Sequence, residues 1–456
     1  MKAIILAAGA GSKCFPYDLT RQKAAMPVGD TTVVRWTCEC LQRAGVDRIA
    51  VVVGHLQERV RHALLGIDVV FVVQSGLTGT APAMLQAVAQ IGAEDPLCVL
   101  YGDCLLSEEA IRSFVELARK ERPFAAAMVA PLGERDPRNW LCARVTEDRL
   151  IGVSGHPRGA ELRLCGVYYF SPATLPFVQA NPGVVEQVNV GGMPKMEAEL
   201  AQSVHMMAQS GPQVRAVEHR GLFVDIDKPW HVLEANAQFA RYLCSRLEGD
   251  EVAAGASVSD GAEISGHIRL GPGCLVGNRV VIHGNLVAGA GTQITNGAIM
   301  GGDCVLGERV KVRDYCSVGA QSVLGNDCLV GHGAELSGVC FEGAYLYHYC
   351  ELSGVFGARH DVGAATVCGT LRFDDGTTPH TVHGRTELPE VGGNDAYFGD
   401  YTRTGVNAIV MPGVKVGAYS CVGPGVIQYH DVDHRTLVLA KQETVSKPWG
   451  PEKYGW

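Results

Sequence analysis

Up to about residue 245 the chain alternates short β-branched runs with stretches whose apolar positions recur at helical spacing. The runs include AIILAAG, RIAVVVGH, VVFVVQ and CVLYGD. Between them lie VVRWTCECLQRAG, LQERVRHALLG and a helix beginning at Ala83. Continuous apolar strands separated by helices predict an α/β domain on a mostly parallel sheet buried on both faces. Such sheets take their ligands beyond the carboxyl ends of the strands. The stretch from Pro229 to Leu247 reads as the closing helix of this Rossmann-like domain, residues 1–247, and Glu248-Gly249-Asp250 as a linker.

From Val252 the period becomes six. Every sixth residue through Leu336 is aliphatic or Met, with Ala288 the one small member. Glycine often follows the anchor, as at Gly271, Gly289, Gly301 and Gly319, which suits tight turns with unusual backbone angles. Four residues after the anchor a small side chain recurs, among them Cys274, Cys304, Cys316, Cys328 and Cys340, where a small apolar group is wanted for packing. Three hexads would make one triangular coil whose anchors stack on those of the next. The pattern resembles the hexapeptide repeat of left-handed parallel β-helices, and that resemblance implies a homotrimer. The register returns at Phe398, Thr404, Val410, Val416 and Val422. A β-helix over 251–440 is therefore expected, with an inserted loop near 372–397 and a C-terminal tail, 441–456.

Composition narrows the function classes. A chain of 456 residues is long enough for two domains, and its formal charge of −9 gives no general attraction to nucleic acid or an anionic membrane. Any phosphate site has to be local. The opening MKAIILAAG leads straight into a glycine loop and reads as a strand rather than a signal peptide. No apolar stretch reaches the roughly 18–20 residues of a membrane helix. The 16 cysteines include no CxxC pair, so reduced thiols in the cytoplasm are expected.

The candidate chemistry begins at Leu6-Ala7-Ala8-Gly9-Ala10-Gly11-Ser12-Lys13. Glycines there let the backbone approach a phosphate chain and present N–H donors, although a tight strand-to-helix connection alone would also use them. Gln22-Lys23-Ala24-Ala25-Met26-Pro27-Val28 follows. Together the two segments resemble the signature of sugar nucleotidyltransferases, a glycine loop with a basic residue and then a lysine before an apolar-Pro-Val segment. Gln74-Ser75-Gly76-Leu77-Thr78-Gly79-Thr80 resembles that family's base-recognition stretch, and Gly102-Asp103 its Mg²⁺-holding pair. Asp225 resembles the second metal ligand, with Asp227 as a nearby rival. The resemblance implies transfer of a nucleoside monophosphate from a nucleoside triphosphate to a sugar 1-phosphate, with release of pyrophosphate. Lys13 would serve the triphosphate, Lys23 the reacting phosphates, and Asp103 with Asp225 the Mg²⁺. Leu6, Ala8, Gly9, Gly11, Gln74, Gly79 and Thr80 would contact the nucleotide.

The whole chain resembles the bifunctional family joining a sugar-1-phosphate nucleotidylyltransferase to a β-helical acetyltransferase, N-acetylglucosamine-1-phosphate uridylyltransferase-like and of the archaeal-type branch. Gly369 to Asp374 and Arg403 to Gly417 carry that match in the second half. Two departures stand out. The segment that supplies a glutamate and a lysine near the sugar in the family reads Val153-Ser154-Gly155-His156-Pro157, and the later asparagine segment reads Leu164-Cys165-Gly166. On the β-helix, acetyl transfer from acetyl-CoA would need a histidine base. Tyr347 falls at that position and His348 one residue on, while Cys350 stands for the following tyrosine and Asp361 and Thr370 for asparagines. A neutral imidazole at His348 suits the removal of an amine or hydroxyl proton. A different class of reading, a nucleotide- or sugar-binding regulatory pseudoenzyme on a trimeric scaffold, would keep this fold and lose the sugar contacts.

Overall fold

Residues 1–76, 78–183 and 197–454 are described by the structure, a computed structural model. Leu77, within the expected base-recognition stretch, and Gly455 and Trp456 of the tail lie outside the described residues.

The first half is built on nine strands of one sheet: β1 (Lys2–Ala7), β2 (Arg48–Val53), β3 (Val70–Val73), β4 (Leu97–Tyr101), β6 (Ala125–Pro131), β7 (Leu141–Thr146), β8 (Arg149–Gly155), β9 (Leu162–Phe170) and β10 (Val214–Glu218). A separate antiparallel pair is formed by β5 (Cys104–Leu106) and β11 (Phe223–Asp225). The sheet order is β3-β2-β1-β4-β9-β6-β10-β8-β7. Side chains alternate across a strand, so Ala3, Ile5 and Ala7 enter one apolar cluster while Ile4, Leu6 and Ala8 enter another. That double burial explains why β1 has no polar alternation.

Parallel pairing holds for β3, β2, β1 and β4. Beyond β4 the sheet departs from the mostly parallel expectation, because β9 runs antiparallel to both β4 and β6, and β8 to both β7 and β10. For β7 and β8 the cause is a short connection: they are joined at Glu147-Asp148, with Glu147 at φ 57°, and only antiparallel strands can be joined by so short a turn. The helix expected from Ala83 begins three residues earlier and spans Thr80–Ile91; the closing helix spans Pro229–Cys244.

The second half is a parallel β-helix. Ser257 pairs with Leu275, Leu275 with Gln293 and Gln293 with Lys311, each 18 residues on, which is three hexads per coil. The anchors from Leu270 through Leu336 are all buried. After Leu336 the coil shortens to 16 residues, with Leu324 opposite Cys340 and Leu336 opposite Leu352. Cys340 is thereby an anchor, not the small residue the spacing implies, and it faces Phe356 in the next coil. The glycines following anchors also differ from expectation. They do not take positive φ; the left-handed residue sits three after the anchor, as at Gly273, Arg279, Gly291 and Tyr315. Gly301 is needed instead because a Cβ there would lie 2.2 Å from the backbone of Ala320 in the next coil.

Between strands Val367–Cys368 and Ala396–Phe398 the chain leaves the coil and forms a hairpin, His380–Val382 with Arg385–Glu387. Phe356 pairs with Phe398, 42 residues on, across this excursion. One apolar cluster spans the two halves: Met26, Val28, Trp230 and Phe239 pack with Val305, Phe341, Val355 and Tyr397.

Candidate nucleotidyl-transfer site

The end of β1 sits beside the ends of β2 and β4, and hydrogen bonds across these ends shape the glycine loop. The Leu6 carbonyl accepts from Gly102 N at 2.9 Å and the Ala8 carbonyl from His55 N at 3.3 Å. The Gln22 amide donates to the carbonyls of Ala7 (2.8 Å) and Gly9 (3.2 Å), tying the lysine segment to the loop. Gly11 has φ +66°, and a Cβ there would meet Lys23 Cγ at 3.1 Å. Gly9 is exposed and a Cβ there would touch nothing, so no protein packing demands glycine at that point.

The acidic residues converge because β5 and β11 are paired: Asp225 stands opposite Cys104, and the Ile226 amide donates to the Asp103 carbonyl at 3.0 Å. Ligand atoms of Asp103, Cys104 and Asp225 lie within 4.8 Å of one another. Burial, and next the Asp103 carboxylate, push the Asp225 carboxyl up to about 7. Two half-buried carboxylates pressed together in this way suit a hard dication, which prefers oxygen ligands. Burial holds the Cys104 thiol well above its ordinary range, so it stays protonated and is a poor partner for such an ion.

Asp227 occupies a different niche. Its carboxylate accepts from Lys23 (3.2 Å), Lys13 (3.3 Å) and Lys228 (3.3 Å). Burial alone would raise it, but the three ammonium groups outweigh burial and hold it well below the usual carboxylate range. Lys23 also reaches Asp103 at 2.7 Å. Burial would lower its ammonium, and the Asp103, Asp227 and Asp225 carboxylates together overcome that and keep it charged. The structure thus brings Lys13, Lys23, Asp103 and Asp225 into one cluster and separates Asp225 from Asp227 by surroundings, the first against another acid and the second among lysines.

On the other side, the Gln74 amide donates to the Gly79 carbonyl at 3.2 Å. Gly79 has φ +108°, and a Cβ would collide with the Ala198 backbone at 2.5 Å. The Thr80 hydroxyl donates to Glu199 Oε2 and accepts from Leu200 N, both at 2.7 Å, so its bonding is spent within the protein. In the segment where the family supplies a glutamate and a lysine near the sugar, His156 has φ 53° and its Nδ1 donates to the Arg138 carbonyl at 2.9 Å. Burial first, with help from the cations Lys13 and Arg385, lowers its imidazole below the ordinary histidine range, so it is neutral at pH 7. Leu164 is buried, and the guanidinium of its neighbour Arg163 lies 4.3 Å from the ring centres of both Trp140 and Phe223.

A family model described as "MobA-like NTP transferase domain" matches residues 3–168. A bifunctional sugar-1-phosphate nucleotidylyltransferase/acetyltransferase of Sulfurisphaera tokodaii is 26% identical over 440 residues, covering 95% of this chain and 98% of that protein. The bifunctional protein GlmU of Methanococcus maripaludis is 24% identical over 453 residues, 98% of each chain. Along nearly its whole length this chain is similar to the bifunctional nucleotidylyltransferase/acetyltransferases. A crystal structure of UDP-glucose pyrophosphorylase complexed with UDP-glucose has 17% identity and a TM-score of 0.45, covering 53% of this chain and 98% of that one.

Set beside that similarity, the β-helix half carries sparse candidate chemistry. His348 lies on an exposed turn, two residues after the anchor Leu346, with its ring edge-on to Tyr349 at 5.2 Å. No hydrogen bond from its imidazole is found among the described residues. Cys350 is buried, and Asp361 lies 3.7 Å from Arg403. Sequence reasoning missed Lys228, Glu199, Arg385 and Glu387 at the first site. Glu199 precedes the amphipathic helix Leu200–Gln209 and reads as a helix cap. Arg385 and Glu387 belong to the β-helix excursion, and no local spacing links them to the glycine loop.

Proposed function

We propose that the protein transfers a nucleoside monophosphate from a nucleoside triphosphate to a sugar 1-phosphate. The observation that carries this reading is the Lys23 ammonium held between Asp103 and Asp227, beside the Asp103–Asp225 acid pair and below the glycine loop. A sugar-phosphate oxygen forms a bond to the α-phosphorus while the bond from that phosphorus to the bridging oxygen breaks, and pyrophosphate leaves. The attacking oxygen is already ionised, so no side chain need act as nucleophile, and catalysis is positioning and charge stabilisation. Lys13 and Lys23 exchange Asp227 for substrate phosphates, Lys13 on the triphosphate and Lys23 at the reacting centre. Asp103 and Asp225 would hold Mg²⁺, which supplies positive charge to the phosphate oxygens as negative charge builds up. Leu6, Ala8, Gly9 and Gly11 present loop backbone to the nucleotide, and Gln74, Gly79 and Thr80 frame its base.

A screen of nucleoside triphosphates against sugar 1-phosphates, with Mg²⁺ and pyrophosphate detection, tests the proposal. Turnover on at least one pair is expected, falling about 100-fold or more in Asp103→Ala. Nucleotide binding without turnover on any pair would favour the regulatory pseudoenzyme. The second half supports a further reading, acetyl transfer from acetyl-CoA, because similarity to the bifunctional relatives runs through it. Acetyl-CoA consumption with an amino sugar phosphate that is unchanged in His348→Ala would remove that histidine as base. A homotrimer through the β-helix and a cytoplasmic location belong to the same proposal; the absence of any disulfide among sixteen free cysteines supports the latter.

A further inference from the structure

The hairpin His380–Glu387 leaves the β-helix and docks on the mouth of the nucleotidyl-transfer site. Glu387 pairs with Lys228 at 3.1 Å, with side chains 8% and 4% exposed. Lys228 in turn touches Asp227. The His383 imidazole Nε2 donates to the Ser12 carbonyl of the glycine loop at 3.1 Å. His380 packs its ring 4.9 Å from Trp230, at the start of the closing helix. A buried ion pair is costly to break from one side, so the hairpin is held in one position.

Arg385 projects from this hairpin between the two domains. Its guanidinium donates to the Arg138 carbonyl at 3.3 Å and to Asn139 Oδ1 at 2.6 Å, sharing that carbonyl with His156. Both acceptors are neutral. The other cations around it are engaged: Lys13 by Asp227, Lys23 by Asp103 and Asp227, Lys228 by Asp227 and Glu387, Arg138 by Asp136 at 2.7 Å. Arg163 is 3% exposed and sandwiched between rings. No carboxylate lies within ion-pair distance of Arg385 among the described residues. A half-buried guanidinium with spare N–H groups, fixed by neutral acceptors at the rim of a phosphate site, is arranged to receive an anion in bidentate geometry.

We propose that Arg385, delivered by the β-helix hairpin, is a substrate-phosphate ligand of the nucleotidyl-transfer site, so that the second domain completes the first. This rests on the function proposed above, and it makes the site a composite of residues up to 379 positions apart in sequence, from Leu6 to Arg385. The phosphate is either the pyrophosphate end of the nucleotide or the sugar phosphate, and the two are separable by kinetics.

The test uses the full chain as wild type, Arg385→Ala and Arg385→Lys, with Thr386→Ala on the same hairpin as control. Thermal unfolding establishes that the variants remain folded. With the substrate pair found by the screen, Arg385→Ala is expected to raise one KM at least tenfold, with a smaller change in kcat. A raised KM for the triphosphate assigns the pyrophosphate end; a raised KM for the sugar 1-phosphate assigns that phosphate. Arg385→Lys should recover part of the loss, because it keeps the charge without the planar fork. Calorimetric titration with pyrophosphate and with inorganic phosphate provides a readout independent of turnover, and Arg385→Ala should weaken one of them tenfold. Unchanged KM values together with unchanged phosphate and pyrophosphate affinities would overturn the inference while leaving the nucleotidyltransferase reading intact. A wild type that turns over no substrate pair would overturn that reading, and the calorimetry would still decide the role of Arg385.

Discussion

His360 shows how a single residue can set a condition on the whole fold. Its ring lies inside the β-helix, 4.6 Å from Phe398 and 5.7 Å from Phe356, and Nδ1 faces Thr402. Nε2 has no partner among the described residues. Burial lowers this imidazole to about 4, outweighing the opposing effect of the Thr402 carbonyl. An unfolded histidine titrates near 6.5. The unfolded chain therefore binds the proton first, so the stability linked to neutral His360 is complete above about pH 6.5 and declines as pH falls toward 4. The decline attributable to this residue is at most about 3 kcal/mol. We expect His360→Phe to flatten the fall of Tm between pH 6.5 and 4, measured by calorimetry against wild type. Equal slopes in the two proteins would show that the ring protonates without opening the coil. His380, also near 4 through burial and Lys415, contributes with the same sign and is common to both proteins.

At the scale of elements, the shortened coils depend on two stacked glycines. Strands Glu335–Cys340 and Glu351–Phe356 run through a corner that other coils turn with two extra residues, and Gly338 and Gly354 make the bend with φ of +122° and +133°. A Cβ on Gly354 would fall 1.9 Å from the Ala396 carbonyl oxygen. Neither backbone can retreat without breaking the ladder, so Gly354→Ala should destabilise the protein by about 3 kcal/mol or more, read as a lower urea midpoint at unchanged slope. The repeat of Glu-Leu-Ser-Gly-Val at 335 and 351, sixteen apart, carries this shortening in the sequence. Six-residue counting passes over it, which is why Cys340 is misread as a spacer. The hexads from Leu270 to Leu336 are legible because each anchor has one destination, the coil interior. Lys23, Asp103 and Asp225 are legible in a similar way, since each lies at a strand end or next to a local motif. Arg385 and Glu387 are not, because docking of a distant hairpin, rather than spacing, brings them to the site.

For the whole molecule, the β-helix buttresses the segment that carries the lysines. Tyr17 donates to the Val355 carbonyl at 2.9 Å, and Arg21 meets Asp400 through Nε at 2.9 and 3.0 Å and Glu342 at 3.1 Å, with its guanidinium 4.6 Å from the centre of the Phe341 ring. Asp400 is 1% exposed. Lys23 lies two residues beyond Arg21, so the clamp on Arg21 fixes the backbone from which Lys23 reaches Asp103. Removing Asp400 leaves the buried Arg21 guanidinium only the half-exposed Glu342 carboxylate as counter-charge, a cost of up to about 3–5 kcal/mol, whereas replacing both Arg21 and Asp400 with apolar groups is often far less damaging. Asp400→Leu alone should therefore lower Tm sharply and reduce nucleotidyl transfer, although Asp400 belongs to the β-helix. The double variant Arg21→Leu/Asp400→Leu should recover much of the lost Tm but less of the turnover, because apolar contact restores packing without restoring the fixed Lys23 backbone. Thermal unfolding and steady-state rates on the four proteins of this cycle separate the two effects. If the double variant regains rate in proportion to stability, the ion pair serves only to hold the domains together; if rate stays low while Tm returns, the β-helix positions the lysine that the transfer needs.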